Sequence, residues 1–433
     1  MPVNRDWHYA CGEFGAEGLD PADLMRRRYP ETWLPGADES AWSPNAIQGA
    51  QTGKFQAMWF DKPNTLEGWV NVSQRHQAWA TRLFAERFRR DNRMISFAIH
   101  LFIDAFPASW MKTIMDCERR PKPAYFAYRD ALAPLTVSIR TDRWKFTSGE
   151  TLPFEFWISN DTHQASKKLS LRWQVEHLGQ VVFSQQVPAA VDAVKSTFQG
   201  HFSPKAPQVE ERTKFTLRLA LADGAKILVD TSLDYEIFPK LAAMTGLAVA
   251  ALGSGKAPEL LAELGIKNQS SKPAVVLIDN YADYQRRQKS LDKAVREGAR
   301  LVFLELPKGD YPIGGTVVRV EDCVMCPREF VSRQTGHALV EGFESEDFKC
   351  WFDPNAGYFT PLLHTMFEAG GWSPILLNGN GVWGGGAWRE LLAAAELPAG
   401  KGSYLVCQIT LSGRTRHNPT AKRFAARLLG AGV

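Results

Sequence analysis

Hydrophobic and polar positions change rhythm twice along the chain. In residues 1–131 two periods are mixed. From Ser73 to Arg90, Trp79, Leu83 and Phe84 recur at helical spacing among Arg and Glu, which predicts an amphipathic helix. Met94 to Ile103 is a nearly continuous apolar run punctuated by His100, suited to a strand covered on both faces, as in a parallel barrel. From about Leu132 the runs are short and alternate. Thr136–Arg140, Leu152–Ile158, Leu169–Val175, Val181–Val187, Phe215–Leu221 and Leu228–Ile237 predict an antiparallel β-sandwich. Beyond Pro239 buried-strand runs return at Leu247–Leu252, Ala274–Asp279, Leu301–Leu304, Val317–Val320, Pro374–Leu377 and Tyr404–Ile409. Helical stretches at Gln285–Gly298 and Thr420–Leu429 intervene, the pattern of a doubly wound, flavodoxin-like α/β domain.

These textures divide the chain into 1–131, 132–239 and 240–433. The fold class expected is multidomain α/β plus all-β: a partial (β/α) barrel, an Ig-like sandwich and a flavodoxin-like domain. A length of 433 residues fits two or three domains. Composition is that of an ordinary soluble globular protein, and the net charge of +4 is small. The clusters Arg26–Arg28 and Arg87–Arg90 are local, so they read as solvated helix faces and not as a nucleic-acid patch. The longest apolar run, Leu241 to Leu252, is too short to span a bilayer. The first residues lack an apolar core of the signal-peptide kind, so no secretory signal is expected on this chain and the cytoplasm is the default location. Six cysteines, unevenly spread, predict reduced thiols. Cys323 and Cys326 have metal-like spacing but no second pair nearby, and two plain thiols are the reading; no metal or cofactor is expected.

The segment Trp7 to Pro21 (WHYACGEFGAEGLDP) places Glu13 after a short apolar run and before a Gly-rich bend, at the outward end of a strand. That is where a barrel enzyme keeps a nucleophilic carboxylate. About ninety residues on, Phe97 to Pro134 reads as a strand, then Asp104, an aromatic–Pro pair, Trp110, Asp116, an Arg-Pro-Lys-Pro-Ala-Tyr helix entry and an Ala-Pro link. Together the two segments resemble the nucleophile segment and the last barrel strand of glycoside hydrolase family 2, the β-galactosidase, β-mannosidase and β-glucuronidase group. The resemblance implies a retaining β-glycosidase of terminal β-linked sugars on oligosaccharides or glycans. It makes Glu13 the nucleophile, with Glu17 as fallback, and Trp110 a sugar platform. Asp104 would hold a sugar hydroxyl or a supporting Arg, and Asp116 would pair structurally with Arg119. Trp42, Gln48 and His76 lie on the connection between the two strands as unselected pocket candidates. Gly12 departs from the Ser often found beside the nucleophile, which leaves the sugar open.

In that family the acid/base Glu lies roughly a hundred residues upstream, whereas twelve residues precede Glu13 here. The expectation is therefore the back half of a sugar-cleaving enzyme: another chain completes the barrel, or the reading frame is truncated. Without a general acid, worth roughly 10²–10⁴-fold, cleavage of unactivated glycosides would be slow. The alternative is a non-catalytic carbohydrate-binding or assembly protein. The last domain resembles the class I glutamine-amidotransferase-like domain at the end of some long family 2 proteins, through Gly298–Glu305, Gly402–Leu411 and His417–Ala421. Neither Cys407, inside a predicted strand, nor Cys350 has the elbow context of a nucleophile, so a silent domain is expected. Ala250–Lys256 mimics a phosphate loop but lacks its first Gly and its final Ser or Thr, and is rejected as one. Gly379–Gly386 reads as a flexible loop.

Overall fold

The computed structural model describes residues 6–47, 61–244, 246–268, 271–324, 326–381 and 389–431. Those lying within 1–57, 62–144 and 149–237 form one compact unit, and those within 58–61, 145–148 and 238–433 form another. The architecture is mixed α/β plus β, and the units are described in turn.

In the first unit, β1 (Tyr9–Phe14) and β2 (Met94–Ile99) pair in parallel, with Tyr9 opposite Met94 and Phe14 opposite Ile99. A parallel pair needs a long crossover. Here α1 (Ala22–Arg28) and α2 (Leu66–Arg90) lie between the strands, and α3 (Pro123–Ala131) follows. The helix α2 begins seven residues earlier than its apolar rhythm suggests, because the Thr65 hydroxyl caps it by accepting from the Gly68 N–H at 3.1 Å. Its buried stripe is also different. Leu66, Trp69, Val70, Ser73, Gln77, Ala80, Thr81 and Ala85 are buried, whereas Trp79 and Phe84 are exposed. Two polar residues in that stripe, Ser73 and Gln77, hold the chain that follows each strand, as shown below.

The expectation that β2 is covered on both faces fails among the described residues: Ile95 is 70% exposed. One side is packed by an aromatic cluster of Phe14, Phe84, Phe88, Phe97 and Tyr128, with ring centroids 5.2–6.1 Å apart. The cluster Arg87–Arg90 is not a solvated face either. Arg89 is nearly buried and donates to the carbonyls of Ala131 (2.6 Å) and Ala133 (2.9 Å) and to Thr136 Oγ1 (3.0 Å), and it pairs with Asp161. It fixes the chain where the sandwich begins. Arg26 to Arg28 do lie at the surface, paired with Glu39, Glu67, Asp23 and Glu118.

The sandwich is antiparallel. One sheet holds β3 (Leu135–Arg140), β4 (Phe154–Asn160) and, from further along, β7 (Lys195–Phe202) in the order β3-β4-β7. The other contains β5 (Ser166–His177), β6 (Gln180–Val191), β8 (Thr213–Asp223) and β9 (Lys226–Phe238), with β9-β8-β5-β6 as neighbours. Alternation aims Phe154, Phe156 and Phe202 at Trp173 and Tyr235 of the facing sheet, with centroids 5.1–5.4 Å apart for the closest pairs. The strand Lys195–Phe202 escaped the sequence reading because Gly200 and scattered polar residues blur its period.

In the second unit four parallel strands, β10 (Val249–Leu252), β11 (Val275–Ile278), β12 (Arg300–Leu304) and a late one, Gly402–Cys407, lie side by side in that order. The sheet continues antiparallel through Arg389–Ala399, Thr365–Glu368, Thr316–Asp322 and Gly309–Ile313. Helices cover both faces. Leu260, Leu261 and Leu264 of α4 (Lys256–Leu264) and Phe424 and Leu428 of α6 (Pro419–Leu428) pack on Val275, Leu277 and Val302. Tyr284 and Val295 of α5 (Tyr281–Glu297) pack on the alternate residues Val276, Leu301 and Phe303. The strand order corrects the flavodoxin expectation. In a flavodoxin-type sheet the second strand flanks the first, which sits inside the sheet beside the third. Here β10 is outermost and more than half of the sheet is antiparallel, an arrangement that short apolar runs cannot specify.

The glycine loop before α4 shows why it is no phosphate cradle. Asp279, at the end of β11, accepts through Oδ2 from the N–H groups of Gly255 (2.9 Å) and Ala257 (2.8 Å), the amides a phosphate would use. Gly253, at φ 126°, leaves no room for a side chain, since a Cβ there would lie 1.5 Å from Asp279 Oδ1. Asp279→Ala should therefore lower stability by about 1 kcal/mol in a urea titration, the usual cost of a lost cap. An unchanged midpoint would show that these amides do not depend on the carboxylate.

Candidate functional site

The strand ends of the first unit gather the predicted residues. Glu13 is the penultimate residue of β1, and its side chain is 74% exposed. The chain then turns inward at Phe14 and runs through Gly15 and Gly18, where neighbouring atoms leave no room for a side chain. A Cβ on Gly15 would lie 2.5 Å from the His100 carbonyl oxygen, and one on Gly18 would lie 2.4 Å from Gln77 Oε1. The Gly-rich bend after Glu13 is thus a packing requirement.

Polar side chains of α2 tie this bend to the loop after β2. Gln77 is buried, and its Nε2 donates to the carbonyls of Ala16 (3.0 Å), Lys112 (3.1 Å) and Thr113 (3.0 Å). Ser73 Oγ accepts from the Leu19 N–H at 3.1 Å, and Gln74 Nε2 donates to the Leu19 carbonyl at 2.8 Å. The Gly18 N–H reaches the Met111 carbonyl at 3.0 Å. Beneath the loops lies a buried ion pair, Lys122 Nζ to Asp20 Oδ1 at 3.1 Å. The same ammonium donates to the Gly18 carbonyl at 2.9 Å, and Tyr29 donates to Asp20 Oδ2 at 3.0 Å. Burial beside Asp20 pushes the Tyr29 hydroxyl well above its ordinary range.

His100 stands between the two outer candidates. Its N–H continues the β1–β2 ladder to the Phe14 carbonyl at 2.8 Å. Its Nε2 lies 4.0 Å from Glu13 Oε1, and its ring meets Trp110 edge to face at 5.7 Å between centroids. Trp110 is 41% exposed, with the Lys112 ammonium 5.7 Å from its ring centroid. Glu13, His100 and Trp110 therefore form an open row of carboxylate, imidazole and indole. The sequence reading passed over His100 as a break in an apolar run; that break, at the end of a strand, was the available signal.

Other candidates take supporting places. Asp104 is 2% exposed, and both its oxygens are engaged, by the Trp110 N–H at 3.2 Å and the Thr113 hydroxyl at 2.8 Å. It holds the Trp110 loop in place of a sugar hydroxyl. Asp116 pairs with Arg120, Nε to Oδ2 at 2.8 Å, and not with Arg119, which adopts a left-handed φ of 64° in the turn. Glu17 is buried. Trp42 packs on Trp69 and donates to the Trp33 carbonyl, and His76 lies against the Trp79 ring. Gln48 lies outside the described residues, as does most of Gly379–Gly386. In the second unit, burial pushes the thiols of Cys350 and Cys407 up to about 12, unlike an activated nucleophile. Among the described residues no three His, Cys, Asp or Glu side chains gather to hold a metal.

No protein-family model matches the chain, and no curated protein matches it in sequence. Among solved structures, a β-D-mannosidase from Dictyoglomus thermophilum is 18% identical, with a TM-score of 0.38, over 55% of this chain and 28% of that one. The exo-chitosanase CsxA of Amycolatopsis orientalis is 15% identical, with a TM-score of 0.39, over 53% of this chain and 27% of that one. The chain thus spans about a quarter of the length of these glycosidases. At such identity and TM-score neither neighbour assigns a residue or an activity to it.

Two outcomes test this geometry. Gln77→Leu keeps the volume but removes the donor from three carbonyls, that of Thr113 buried and the other two half-buried. It should cost about 2–3 kcal/mol by denaturant titration, and an unchanged stability would show that the loops hold themselves. Burial raises the pKa of Asp104, against the pull of the Thr113 hydroxyl. A carboxyl with a higher pKa folded than unfolded favours folding below its ordinary value, 3.8, and loses that contribution as pH rises through the raised one. Asp104→Asn retains an acceptor for the Trp110 N–H, so wild-type Tm should fall relative to the variant as pH climbs through the mildly acidic range. Parallel Tm curves would rule this out.

Proposed function

We propose that the chain carries the nucleophile side of a retaining β-glycosidase of family 2 type, acting on terminal β-linked sugars of oligosaccharides or glycans. The observation that supports this most is the open row at the strand ends. Glu13 presents its carboxylate to solvent on a rigid strand, while Trp110 offers an indole face on a loop fixed by Asp104. In this reading Glu13 attacks the anomeric carbon, the bond to the leaving oxygen breaks, and water later hydrolyses the glycosyl ester. Trp110 lies against the apolar C–H face of the ring.

A retaining pair needs a second carboxyl roughly 5–5.5 Å from the first, to protonate the leaving oxygen and then activate water. In the same proposal a partner that completes the barrel supplies it. The division into a barrel part (1–131), an Ig-like sandwich (132–239) and an amidotransferase-like domain (240–433) belongs to this reading too.

The nitrophenolate of a nitrophenyl β-glycoside departs without needing that proton, so this substrate isolates the Glu13 step. Glu13→Gln should reduce its hydrolysis by about three orders of magnitude or more. Azide added to Glu13→Ala should restore turnover and yield a glycosyl azide. Trp110→Ala should raise KM by about tenfold, on the order of 1.4 kcal/mol of lost ring contact. Sugar binding without turnover, unaffected by Glu13→Gln, would favour the alternative of a non-catalytic carbohydrate-binding protein.

A further inference from the structure

One edge of the sandwich is undefended. The strand β6 (Gln180–Val191) is the outermost of its sheet and carries no ionisable residue along its 12 positions. Every residue from Gln180 to Gln186 is exposed, Val181, Val182 and Phe183 among them. The two edges of the facing sheet are treated differently. On β3, Arg89 donates to Thr136 Oγ1 at 3.0 Å and Arg90 to Ser138 Oγ at 3.3 Å. On β7, the Asn92 amide holds both backbone groups of Ser196, accepting from its N–H at 2.9 Å and donating to its carbonyl at 2.9 Å. Charge or a covering side chain is what keeps a strand edge from recruiting another strand. From Phe183 to Val187, β6 has no charge of its own and no side chain bonded to its backbone edge among the described residues. Hydrogen-bonding direction alternates along an antiparallel strand, so one fixed residue sets the direction of the rest. The Gln199 side chain of β7 accepts from the Ala190 N–H at 3.4 Å and donates to the Ala190 carbonyl at 2.8 Å, so Ala190 faces away from β5. Pairing with β5 runs without a shift from Ala189 to Phe183, so Pro188, Gln186 and Ser184 share that outward direction. Pro188 suits the position, having no N–H to leave unpaired.

We propose that β6 pairs antiparallel with β6 of a second copy of this chain, about a two-fold axis at Gln185. A surface that binds its own copy in this way must be its own complement. Centred on Gln185, Ser184 of each copy lies opposite Gln186 of the other, and each of these two pairs exchanges two N–H to carbonyl hydrogen bonds. No like charges are brought together, because the strand has none. Phe183 then meets Val187 of the second copy in the closely spaced, non-hydrogen-bonded register, an aromatic against a β-branched side chain. Phe183 is on the inner face, 5.6 Å from Phe202 between ring centroids, yet it is 42% exposed. The second copy's Val187 covers that open side. An axis at Ser184 would instead set Phe183 against Gln185 and draw on Val182, where the pairing with β5 shifts register. That shift ends the ladder on one side, and Pro188, which cannot donate, ends it on the other. The two-fold contact consumes both edges, so assembly stops at two.

Sedimentation velocity of the full chain should show a reversible dimer whose fraction grows with concentration. Gln185→Lys sets two ammonium groups opposite each other at the axis. Gln185 is exposed, so this variant should sediment as a monomer while keeping the thermal transition of a folded chain. Gln185→Cys reads the register directly. Its Cα atoms in the two copies would lie about 4.5 Å apart, within reach of a disulfide, so mild oxidation should give a covalent dimer. The bridge falls in the tryptic peptide Trp173–Lys195, which holds no native cysteine. Gln180→Cys, exposed on the same strand, would stand about 34 Å from its own copy and should form no such bridge. A wild-type chain that stays monomeric at every concentration would overturn the proposal. So would a Gln185→Lys variant that dimerises like the wild type, a Gln180→Cys bridge as abundant as that of Gln185→Cys, or assembly that continues past two copies.

Discussion

One buried amide organises the candidate site. Gln77 lies in the middle of a helix, yet its side chain serves the backbone of two distant loops, through the carbonyls of Ala16, Lys112 and Thr113. These carbonyls are buried or half-buried and lie outside the strand ladders, so a lost donor carries a desolvation cost. A single primary amide serves all three. The bend after Glu13 and the loop of Trp110 thereby share one anchor, and the geometry of the exposed row follows from it.

The sandwich was the most legible part of the chain. Its strands are half-buried, so a period of two is written directly into Phe154–Asn160 and Ser166–His177. The parallel strands of the second unit could be found but not ordered. Buried on both faces, they carry one uniform apolar signature, and neighbours are chosen by long crossovers that leave no local trace. The helix Leu66–Arg90 shows the opposite failure. Its most visible apolar residues, Trp79 and Phe84, stay partly exposed, while Ser73, Gln77 and Thr81 are buried. Sequence patterning assumes that the inside is apolar, and here the inside must bind loops. Arg89 is the same lesson in charge: a guanidinium with five donors gathers loose carbonyls at the sandwich entry.

At the site, position along a strand was readable and partnership was not. Glu13 emerges exposed, as its place between an apolar run and a Gly-rich bend implies. Asp104 looked equally available, but hydrogen bonds within its own loop absorb both oxygens. Asp116 chose Arg120 over Arg119 because of one left-handed residue. Such choices depend on loop dihedrals, which a linear pattern of residue types does not encode. His100 gained its place through the pairing of two strands about eighty-five residues apart.

The carboxylate of Asp279 also has a bearing on ligand competition. Being tethered to the end of Val275–Ile278, it meets the amides of Gly255 and Ala257 at an effective concentration that no free anion in solution approaches. The chain thus acts as its own competitive inhibitor at that loop. A dissolved phosphate would face a rival that is always present and never diffuses away.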